Sequence, residues 1–388
     1  MKLEKNQENL KQIASLVKYA FIKDNDLLHD NNFMSRYNHS DGYGYFNNDK
    51  LTSYIMVNKF KSEIFGHHVL MAGIGYVVSY PEYRGQGHIS KLISEILHDL
   101  HEQNIPFANL APFSESFYRR YGFSNSIYQK EYRFSGDVLR SFKMPRVGHI
   151  VRGKWDDLMV QNGVIQLYER QLHTDDERNT MIREAWWWNR LDTYYHNRNI
   201  AVYIDGDSRP VSYLIYRIHG DEFLADELYS ITAKGLIYLF GFMGSHAGAI
   251  KKFRMILPEN SLSGELFPEQ NQLRISLRPY MMSRIIDFAE IASKMKPLQE
   301  GTFNIEVNAD DQCPWNIGIW QMTNKDGQVS CKQIDDALVD FSGSITAWTQ
   351  VFLGRLTMKE AVKLGLIMDY RIKKLEFRKG EVSFYDYF

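Results

Sequence analysis

The spacing of apolar residues along the first third of the chain predicts alternating helices and strands. Residues 10–22 carry apolar side chains at helical spacing, whereas residues 43–80 alternate apolar and polar positions between turn signals. This pattern predicts a helix followed by an antiparallel meander, of which 67–80 is the last strand. The apolar positions from Ile89 to Leu100 then mark one face of a helix. Three further elements are predicted after it: a strand at 107–111, a short helix at 114–121 and a strand near 126–134.

Two more units follow. In the second, the pattern predicts a strand at 148–152, helices at 154–172 and 180–191, three strands between 199 and 230, and a helix over 231–246. In the third, it predicts a helix from 286, strands at 302–308 and 315–323, an apolar helical stretch at 345–367, and strand-like segments at 372–378 and 381–387. We therefore predict an α/β (α+β) chain with domains at 1–145, 146–285 and 286–388.

Composition and charge exclude several classes of function. The chain of 388 residues has 46 Lys and Arg against 47 Asp and Glu. Its net charge is therefore close to zero and does not favour nucleic acid or an anionic membrane as a partner. The two cysteines, Cys313 and Cys331, suit a reducing compartment and leave no disulfide framework or cysteine-based zinc site. The N-terminus lacks the apolar stretch of a signal peptide, and the most apolar segment, 235–244, is about half of a membrane span. We expect a cytoplasmic protein.

The segment that carries chemistry is the glycine loop between the strand at 67–80 and the next helix. Backbone N–H groups at the start of a helix can bind an anion such as phosphate, and Arg84 can add a bidentate contact. Glycine loops also serve simply to close a turn, so the loop alone leaves both interpretations open. Neither the dinucleotide pattern Gly-x-Gly-x-x-Gly nor the Gly-Lys-Ser/Thr ending of a P-loop is present, which argues against nicotinamide dinucleotides and ATP.

This loop resembles the Arg/Gln-x-x-Gly-x-Gly/Ala signature of the GCN5-related N-acetyltransferases (GNAT). It reads Arg84-Gly85-Gln86-Gly87-His88-Ile89, with Ile89 at the final small position. One subgroup, the enhanced intracellular survival (Eis) acetyltransferases, resembles this chain in the loop and also in FYRRYGF at 117–123. The resemblance implies two tandem GNAT-like units, the first catalytic, followed by a sterol-carrier-like domain, matching the three units above.

The resemblance also implies acetyl-CoA as the acetyl donor. In GNAT folds the pantetheine arm pairs with a splayed strand like an added strand, a position that Val77, Val78 and Ser79 occupy here. Its pyrophosphate is implied to lie at Arg84, Gly85, Gln86, Gly87, His88, Ile89 and Ser90. Phe113 and Ser114, at the end of the next strand, are implied to flank the cofactor from the other side. Val77 and Val78 can be core residues at the same time, and His88 can equally be a loop-surface residue.

Acetyl transfer from a thioester requires a base for the amine and an acid for the departing thiolate. The resemblance implies that Tyr118 is the acid, and its phenol, with an ordinary pKa of about 10, is protonated at neutral pH. It implies that the base is the terminal carboxylate of Phe388, which the third domain inserts into the first. Without the resemblance, Phe388 is more simply the packed end of a terminal strand.

The acceptor is implied by the resemblance to be a small multi-amine molecule, an aminoglycoside or a polyamine-like compound, and the assembly a homohexamer. An aminoglycoside pocket needs acidic residues, for which Asp24, Asp26, Asp30 and Asp386 are candidates that could equally be solvated. Two alternatives stay open: acetylation of protein lysines or N-termini at the same site, and a non-catalytic acyl-CoA- or lipid-binding module built on the third domain.

Other conspicuous residues favour structural roles. His67-His68 and the pair His98 and His101 have no further ligand at recognisable spacing, so no metal site is predicted. The run at 186–188 places three Trp rings on different sides of a helix, which favours packing between domains or subunits over ligand binding. In the third domain an apolar stripe at helical spacing is typical of core rather than of a lipid tunnel; it comprises Trp348, Phe352 and Leu356.

Overall fold

The structure, a computed structural model, describes residues 1–194 and 197–388, with the backbone alone for residues 191–194. Its helices are α1 Gln7–Ala20, α2 Asn31–Asn38, α3 His88–Glu102, α4 Glu115–Arg119, α5 Leu158–Leu172, α6 Ala185–Tyr194, α7 Ala233–Gly244, α8 Phe288–Lys294, α9 Ile345–Phe352 and α10 Met358–Lys363. Its strands up to β9 are β1 Lys2–Leu3, β2 Ser40–Asn47, β3 Lys50–Ile64, β4 His67–Ser79, β5 Phe107–Leu110, β6 Ser124–Ser135, β7 His149–Gly153, β8 Arg178–Ile182 and β9 Asn199–Ile204. The remaining strands are β10 Pro210–His219, β11 Glu222–Ser230, β12 Lys252–Pro258, β13 Arg274–Ile285, β14 Gly301–Val307, β15 Gly318–Lys325, β16 Gln328–Ile334, β17 Phe341–Gly343 and β18 Ile367–Asp369.

One long mixed sheet joins the first two units. Its strand order is β1-β2-β3-β4-β5-β13-β6-β12-β11-β10-β9-β7, with β8 paired to β3. Strand β13 inserts antiparallel between β5 and β6, with Met282 opposite Leu110. The predicted boundary at residue 285 therefore falls at the end of a strand that pairs with strands of the first unit.

A second, smaller sheet carries the third unit, in the order β16-β15-β14-β17-β18. Helices α8 and α9 bury their apolar sides in the same core as strands of both sheets. Phe288, Trp348 and Phe352 pack together there, with the Trp348 and Phe352 ring centroids 5.4 Å apart. The Trp348 stripe is therefore core, as its helical spacing predicts.

Apolar periodicity accounts for the elements around the glycine loop. The face of α3 that the sequence marks as apolar is buried: Leu92, Ile93, Ile96, Leu97 and Leu100. These side chains pack on the sheet beside Ile74 of β4 and Leu110 of β5. This packing fixes the axis of α3, and hence the position of its N-terminus, at the end of β4.

Four predicted elements are wrong in part. The helix predicted at 180–191 begins instead as strand β8, which pairs with β3 because Lys61–Ile64 leaves a free edge that local spacing cannot reveal. The helical stretch at 345–367 is two short helices, since the chain turns after Phe352. The strand-like segments at 372–378 and 381–387 form only isolated bridges.

We call the last eight residues the C-terminal tail (381–388). The tail runs along the first two units, which share the long sheet. Backbone and side-chain hydrogen bonds hold the tail along its length. They include Arg178 N to Glu381 O (2.6 Å), Ser383 N to Thr180 Oγ1 (3.0 Å), Tyr385 Oη to Leu228 O (3.2 Å) and Tyr280 Oη to Asp386 O (2.9 Å). These bonds fix the position of the tail, although it does not form a regular strand.

The tryptophan run at 186–188 packs between parts of the chain, as its spacing predicts. Trp186 stacks on His39, with ring centroids 4.2 Å apart, and Trp187 is fully buried against Phe60. Within the described residues, no helix has the length and apolar character needed to cross a membrane.

Candidate active site

Strands β4 and β5 diverge at one end. They pair in parallel from Met71 opposite Phe107 to Ile74 opposite Leu110, where β5 ends. Strand β4 continues to Ser79 and pairs on its other side with β3. The edge of residues 75–79 that faces away from β3 therefore has no strand partner among the described residues, and its backbone groups can accept an extended ligand as an added strand.

A β-bulge produces this divergence. The β3–β4 register shifts between Tyr54 and Met56, and Tyr76 takes a φ of 47°. A bulge adds one residue to a strand and bends it. Beyond the bulge Val78 is buried, Val77 and Ser79 are half-buried, and the Ser79 hydroxyl donates to the Ser53 hydroxyl (2.7 Å).

The glycine loop brings the N-terminus of α3 to the open end of β4. Gly85 and Gly87 have φ values of 78° and 79°, a region that residues with a Cβ rarely adopt. Gly87 caps α3 without any side-chain hydrogen bond. The first N–H groups of α3 therefore have neither an intrahelical acceptor nor a capping side chain, which is the arrangement that binds phosphate at a helix start.

A groove of about 600 Å³ runs between the end of β4 and the start of α3, and we call it the β4–α3 groove. Most of the residues predicted to contact the cofactor line it: Val77, Val78, Ser79, Arg84, Gly85, Gly87, His88, Ile89, Ser90 and Phe113. Arg84 is exposed, so its guanidinium is free to move toward an anion. Phe113 is 68% exposed at the mouth of the groove.

Two predicted cofactor residues do not line the groove. The Gln86 side chain turns back and donates from Nε2 to Glu82 O (3.0 Å). Ser114 caps helix α4, since its hydroxyl accepts from Phe117 N (3.4 Å). Both residues shape the backbone beside the groove instead of facing it.

His88 is not a loop-surface residue. It is the first residue of α3, it is buried, and its ring stacks on Tyr45 with centroids 3.8 Å apart. Burial, together with the nearby Lys91, lowers the pKa of His88. At neutral pH the ring is therefore uncharged and can offer the groove a hydrogen bond but no positive charge.

Sequence reasoning missed five groove residues: Ala20, Phe21, Tyr83, Phe117 and Arg120. Phe117 and Arg120 belong to the segment 117–123 that carries the family resemblance, so that motif could have found them. The Arg120 guanidinium lies 5.0 Å from the Phe117 ring centroid. Ala20 ends α1 and Phe21 follows it, and nothing local in the sequence links them to the glycine loop.

Tyr118 lies in the core below the mouth of the groove. Its ring contacts Phe113 and Phe117 at centroid distances of 5.2 and 5.1 Å, and it is 2% exposed. Burial raises the pKa of Tyr118, and the nearby hydroxyls of Tyr387 and Tyr121 raise it further. The phenol is therefore a protonated donor at neutral pH.

The terminal residue Phe388 lies against β4 at the point where β4 leaves β5. The Phe388 carboxyl carbon is 2.7 Å from the position that a Cβ on Gly75 would occupy, and the Arg36 guanidinium lies beside the same position. The Phe388 ring stacks on Phe60 with centroids 5.5 Å apart. Side chains alternate along a strand, so Gly75 and Ile74 face opposite sides of the sheet. Ile74 packs in the same core as Tyr118.

The acidic residues suggested for an acceptor pocket are largely engaged elsewhere. Asp26 and Asp30 cap helical turns through their carboxylates. Asp386 is fully buried and accepts from Arg183 Nε (2.9 Å) and Trp187 Nε1 (2.6 Å). It therefore anchors the C-terminal tail and is not available to an amine.

The site fits acetyl-CoA. The unpaired edge of β4, the uncapped start of α3 and the open space beside Gly85 and Gly87, where a Cβ would meet nothing within 4 Å, form one continuous cradle. An extended amide-bearing arm matches the strand edge, and a pyrophosphate matches the helix N-terminus. A group of three or more metal-ligating side chains does not occur in the described part of the chain.

Comparison with family models identifies the three units. Two models, each described as an acetyltransferase (GNAT) domain, match residues 4–125 and 180–285. A sterol carrier protein domain model matches residues 278–378. The tandem GNAT fold with a sterol-carrier-like C-terminal domain is thereby confirmed. No curated protein matches the sequence.

Solved structures give the same fold over the full chain. A probable N-acyltransferase from Enterococcus faecalis is 30% identical, covers 100% of this chain and 99% of its own, and has a TM-score of 0.87. A GCN5-related N-acetyltransferase from Anabaena variabilis is 19% identical, with a TM-score of 0.86 and 100% of both chains covered. Eis1 from Mycobacterium abscessus is 16% identical, with 100% and 99% coverage and a TM-score of 0.80.

The chain therefore belongs to the GCN5-related N-acetyltransferases, and it has the three-part fold of the Eis type. It is an acetyltransferase whose acetyl donor is acetyl-CoA.

Proposed function

We propose that the enzyme transfers the acetyl group to an amine of a small molecule, with Tyr118 as general acid and the Phe388 carboxylate as general base. Acetyl-CoA supplies the acetyl group as a thioester. The carboxylate takes the amine proton as the new N–C bond forms, and the Tyr118 hydroxyl protonates the sulfur as the C–S bond breaks. Atoms and charges balance, because one proton leaves the amine and one reaches the thiolate.

The observation that carries this proposal is the position of the Phe388 carboxyl group against Gly75, where β4 leaves β5. An acyl group carried along the unpaired β4 edge comes to the same position from the groove. Tyr118 supports the assignment because it is buried, protonated and adjacent to Phe113 at the groove mouth.

Lengthening the chain by one residue tests the base. A variant with one glycine added after Phe388 moves the carboxylate while Phe388 can keep its ring contacts. We expect thiol release from acetyl-CoA to fall by about 10²-fold or more in this variant and in Tyr118→Phe, because general acid or base catalysis is worth about that much. Calorimetric binding of acetyl-CoA is the control and should persist in both variants. Full activity of the extended chain would exclude the terminal carboxylate as base.

An acceptor panel tests the substrate. The resemblance supports aminoglycosides and polyamines, and protein lysines or N-termini are the second candidate at the same site. The panel therefore contains an aminoglycoside, spermidine and a lysine peptide, with thiol release as the readout. From the resemblance alone we also propose a homohexamer, which light scattering of the purified protein would test.

A further inference from the structure

A second pocket, of about 360 Å³, lies beside the C-terminal tail and away from the β4–α3 groove. It opens where β11 and β12 stop pairing, after Ala225 opposite Met255. Tyr385 and Tyr387 of the tail form one of its walls. Because Tyr387 directly precedes Phe388 in the chain, the pocket adjoins the carboxylate proposed as base.

Strand alternation explains why this pocket is polar. On β12 the side chains of Phe253 and Met255 are buried in the core under α7, so Arg254 between them points to the other face. Cross-strand register places Arg217 opposite Leu224, and Leu224 opposite Arg254. The face of the sheet turned toward the tail is therefore lined by long basic side chains from several strands.

Among the residues whose side chains the structure describes, the arginines here outnumber the acids. Four described arginines and one described carboxylate line the pocket: Arg198, Arg217, Arg254, Arg278 and Asp226. Asp226 accepts two hydrogen bonds from Arg217 (2.7 and 2.8 Å) and lies 3.7 Å from Arg198. We refer to this lining as the arginine pocket.

A second carboxylate, Glu131, lies at the rim of the arginine pocket. It accepts from Arg254 Nε and Arg133 Nε at 2.7 and 2.6 Å, and Arg278 Nη1 is 3.7 Å away. Although burial raises the pKa of Glu131, the hydrogen bonds and charges of Arg133 and Arg254 outweigh it and lower the pKa overall. The acid is therefore ionised and shared among several guanidinium groups. Counted over the described side chains, positive charge remains in excess around Arg254 and Arg278.

The arginine pocket and the proposed catalytic pair are connected through Tyr387. Its side chain lines the pocket, its ring lies 6.4 Å from that of Tyr280 in the same wall, and its hydroxyl is close enough to affect the titration of Tyr118. Tyr387 therefore places one wall of the pocket next to the terminal residue Phe388.

The guanidinium groups are the hydrogen-bond donors that this lining can offer a ligand. Gln129 and Tyr280 are engaged by the protein: Gln129 donates to Phe384 O (3.3 Å) and accepts from Arg278 Nη2 (3.0 Å), and the Tyr280 hydroxyl donates to Asp386 O (2.9 Å). Partly buried guanidinium groups favour carboxylates and phosphates, which they can bind through two parallel hydrogen bonds. A polycation would meet like charges in this wall, and the carboxylate of Asp386 does not face it because it is paired with Arg183.

We propose that the arginine pocket binds an anionic group of the acceptor, so that the physiological acceptor is an amine that also carries a carboxylate or a phosphate. This inference rests on the proposed function, since it takes the acceptor amine to lie at the Phe388 carboxylate. The anion takes no part in bond making. It positions the amine, and Arg254 and Arg278 are accordingly specificity-determining residues.

Matched acceptor pairs test the proposal. Ethanolamine is compared with O-phosphoethanolamine, and cadaverine with lysine, so that each pair differs by one anionic group. We expect kcat/KM to favour the anionic member by about tenfold or more, because a charge-assisted hydrogen bond is worth at least that factor. Arg278→Gln should abolish this preference through KM, and Arg278→Lys should retain part of it. Arg209→Gln is the control, because Arg209 is an exposed arginine of the same unit that pairs with the exposed Asp207 (3.2 Å).

Calorimetric binding of O-phosphoethanolamine separates this proposal from the catalytic one. We expect the wild type and Tyr118→Phe to bind O-phosphoethanolamine, and Arg278→Gln to bind it about tenfold or more weakly. This result supports the arginine pocket even if no amine is acetylated. In that case only the catalytic proposal fails. Acetylation that favours the neutral member of each pair, or that Arg278→Gln leaves unaltered, would overturn the anionic acceptor while the acetyltransferase mechanism stands. Equal binding by the wild type and Arg278→Gln would overturn it as well.

Discussion

At the scale of single residues, burial decides the charge state of the proposed acid. Tyr118 is nearly inaccessible to water, so its phenolate loses hydration and its pKa rises above the ordinary value. Nearby Tyr387 and Tyr121 act in the same direction. A phenol with a raised pKa holds its proton throughout the range in which an amine becomes nucleophilic.

The pH profile of acetyl transfer follows from this. The acid form of Tyr118 is required for turnover. Because the pKa of Tyr118 is raised, this form persists as the pH rises, and kcat should not decrease at any pH up to about 10. Activity should instead increase with pH as the acceptor amine loses its proton. The measurement is kcat from pH 6 to pH 10 with acetyl-CoA saturating. A fall of kcat to about half by pH 10 in the wild type would mean that Tyr118 is hydrated in the working enzyme and titrates near the ordinary value of about 10.

The two proposed catalytic residues differ in how far sequence could locate them. Tyr118 lies in the segment 117–123 and Gly85 and Gly87 lie in the glycine loop, and the family resemblance of these two short motifs implied a role for each of them. Phe388 is 270 positions from Tyr118 in the chain, and only a family resemblance connected them. Arg36 and Gly75, which lie beside the terminal carboxyl group, were not predicted, because no local pattern marks a glycine that a distant chain end will cover.

At the scale of elements, β4 borders both the β4–α3 groove and the C-terminal tail. Its edge beyond the bulge at Tyr76 is open to the groove, and its face at Gly73 and Gly75 receives the tail. At Gly73 an added Cβ would lie 2.7 Å from Phe60 Cε2 and 3.0 Å from Phe388 Cδ2. The absence of side chains at these two positions creates the space in which Phe388 lies.

Filling that space should displace the base. Gly75→Ala places a Cβ against the Phe388 carboxyl carbon and the Arg36 guanidinium, and we expect kcat to fall at least about tenfold while acetyl-CoA affinity is retained. Overpacking of this kind also costs about 1–3 kcal/mol of stability. Steady-state kinetics and thermal unfolding measure the two effects. Gly248→Ala is the matched control, since an added Cβ there meets nothing within 4 Å. Unchanged kcat in Gly75→Ala would show that the carboxylate need not lie at this position.

Local periodicity predicted most elements of the first unit and failed where pairing between distant segments decides the outcome. Helix α3 buries the face that its own sequence marks as apolar, and strands β3 and β4 are buried on both faces over much of their length. Strand β8 sits at the start of a predicted helix, and its conformation is set by the free edge of β3. Strands β12 and β13 were not predicted, and β13 pairs with β5 and β6 across more than a hundred residues of chain.

At the scale of the whole molecule, the C-terminal tail connects all three units to the site. The tail leaves the third unit, crosses the second at Leu228 and ends against β4 of the first. Its strongest anchor is a buried ionic cluster in which Arg183 binds Asp386 through Nε and Glu227 through both Nη atoms, at 2.8 to 2.9 Å. The Tyr213 hydroxyl also donates to Glu227 (2.6 Å). This cluster fixes the tail two residues before its terminal carboxylate.

Removal of the central cation should therefore release the tail. Arg183→Gln leaves Asp386 and Glu227 buried without a counter-ion, which costs about 3–5 kcal/mol when one partner of such a pair is lost. We expect a lower midpoint of thermal unfolding, faster removal of Phe388 by a carboxypeptidase, and loss of acetyl transfer while acetyl-CoA still binds in the β4–α3 groove. Arg209→Gln, which breaks an exposed pair with Asp207, should change stability by less than about 1 kcal/mol and leave all three readouts near the wild type. If Arg183→Gln keeps full turnover although its C-terminus is digested, the terminal carboxylate cannot be the base, and the ionic cluster serves stability alone.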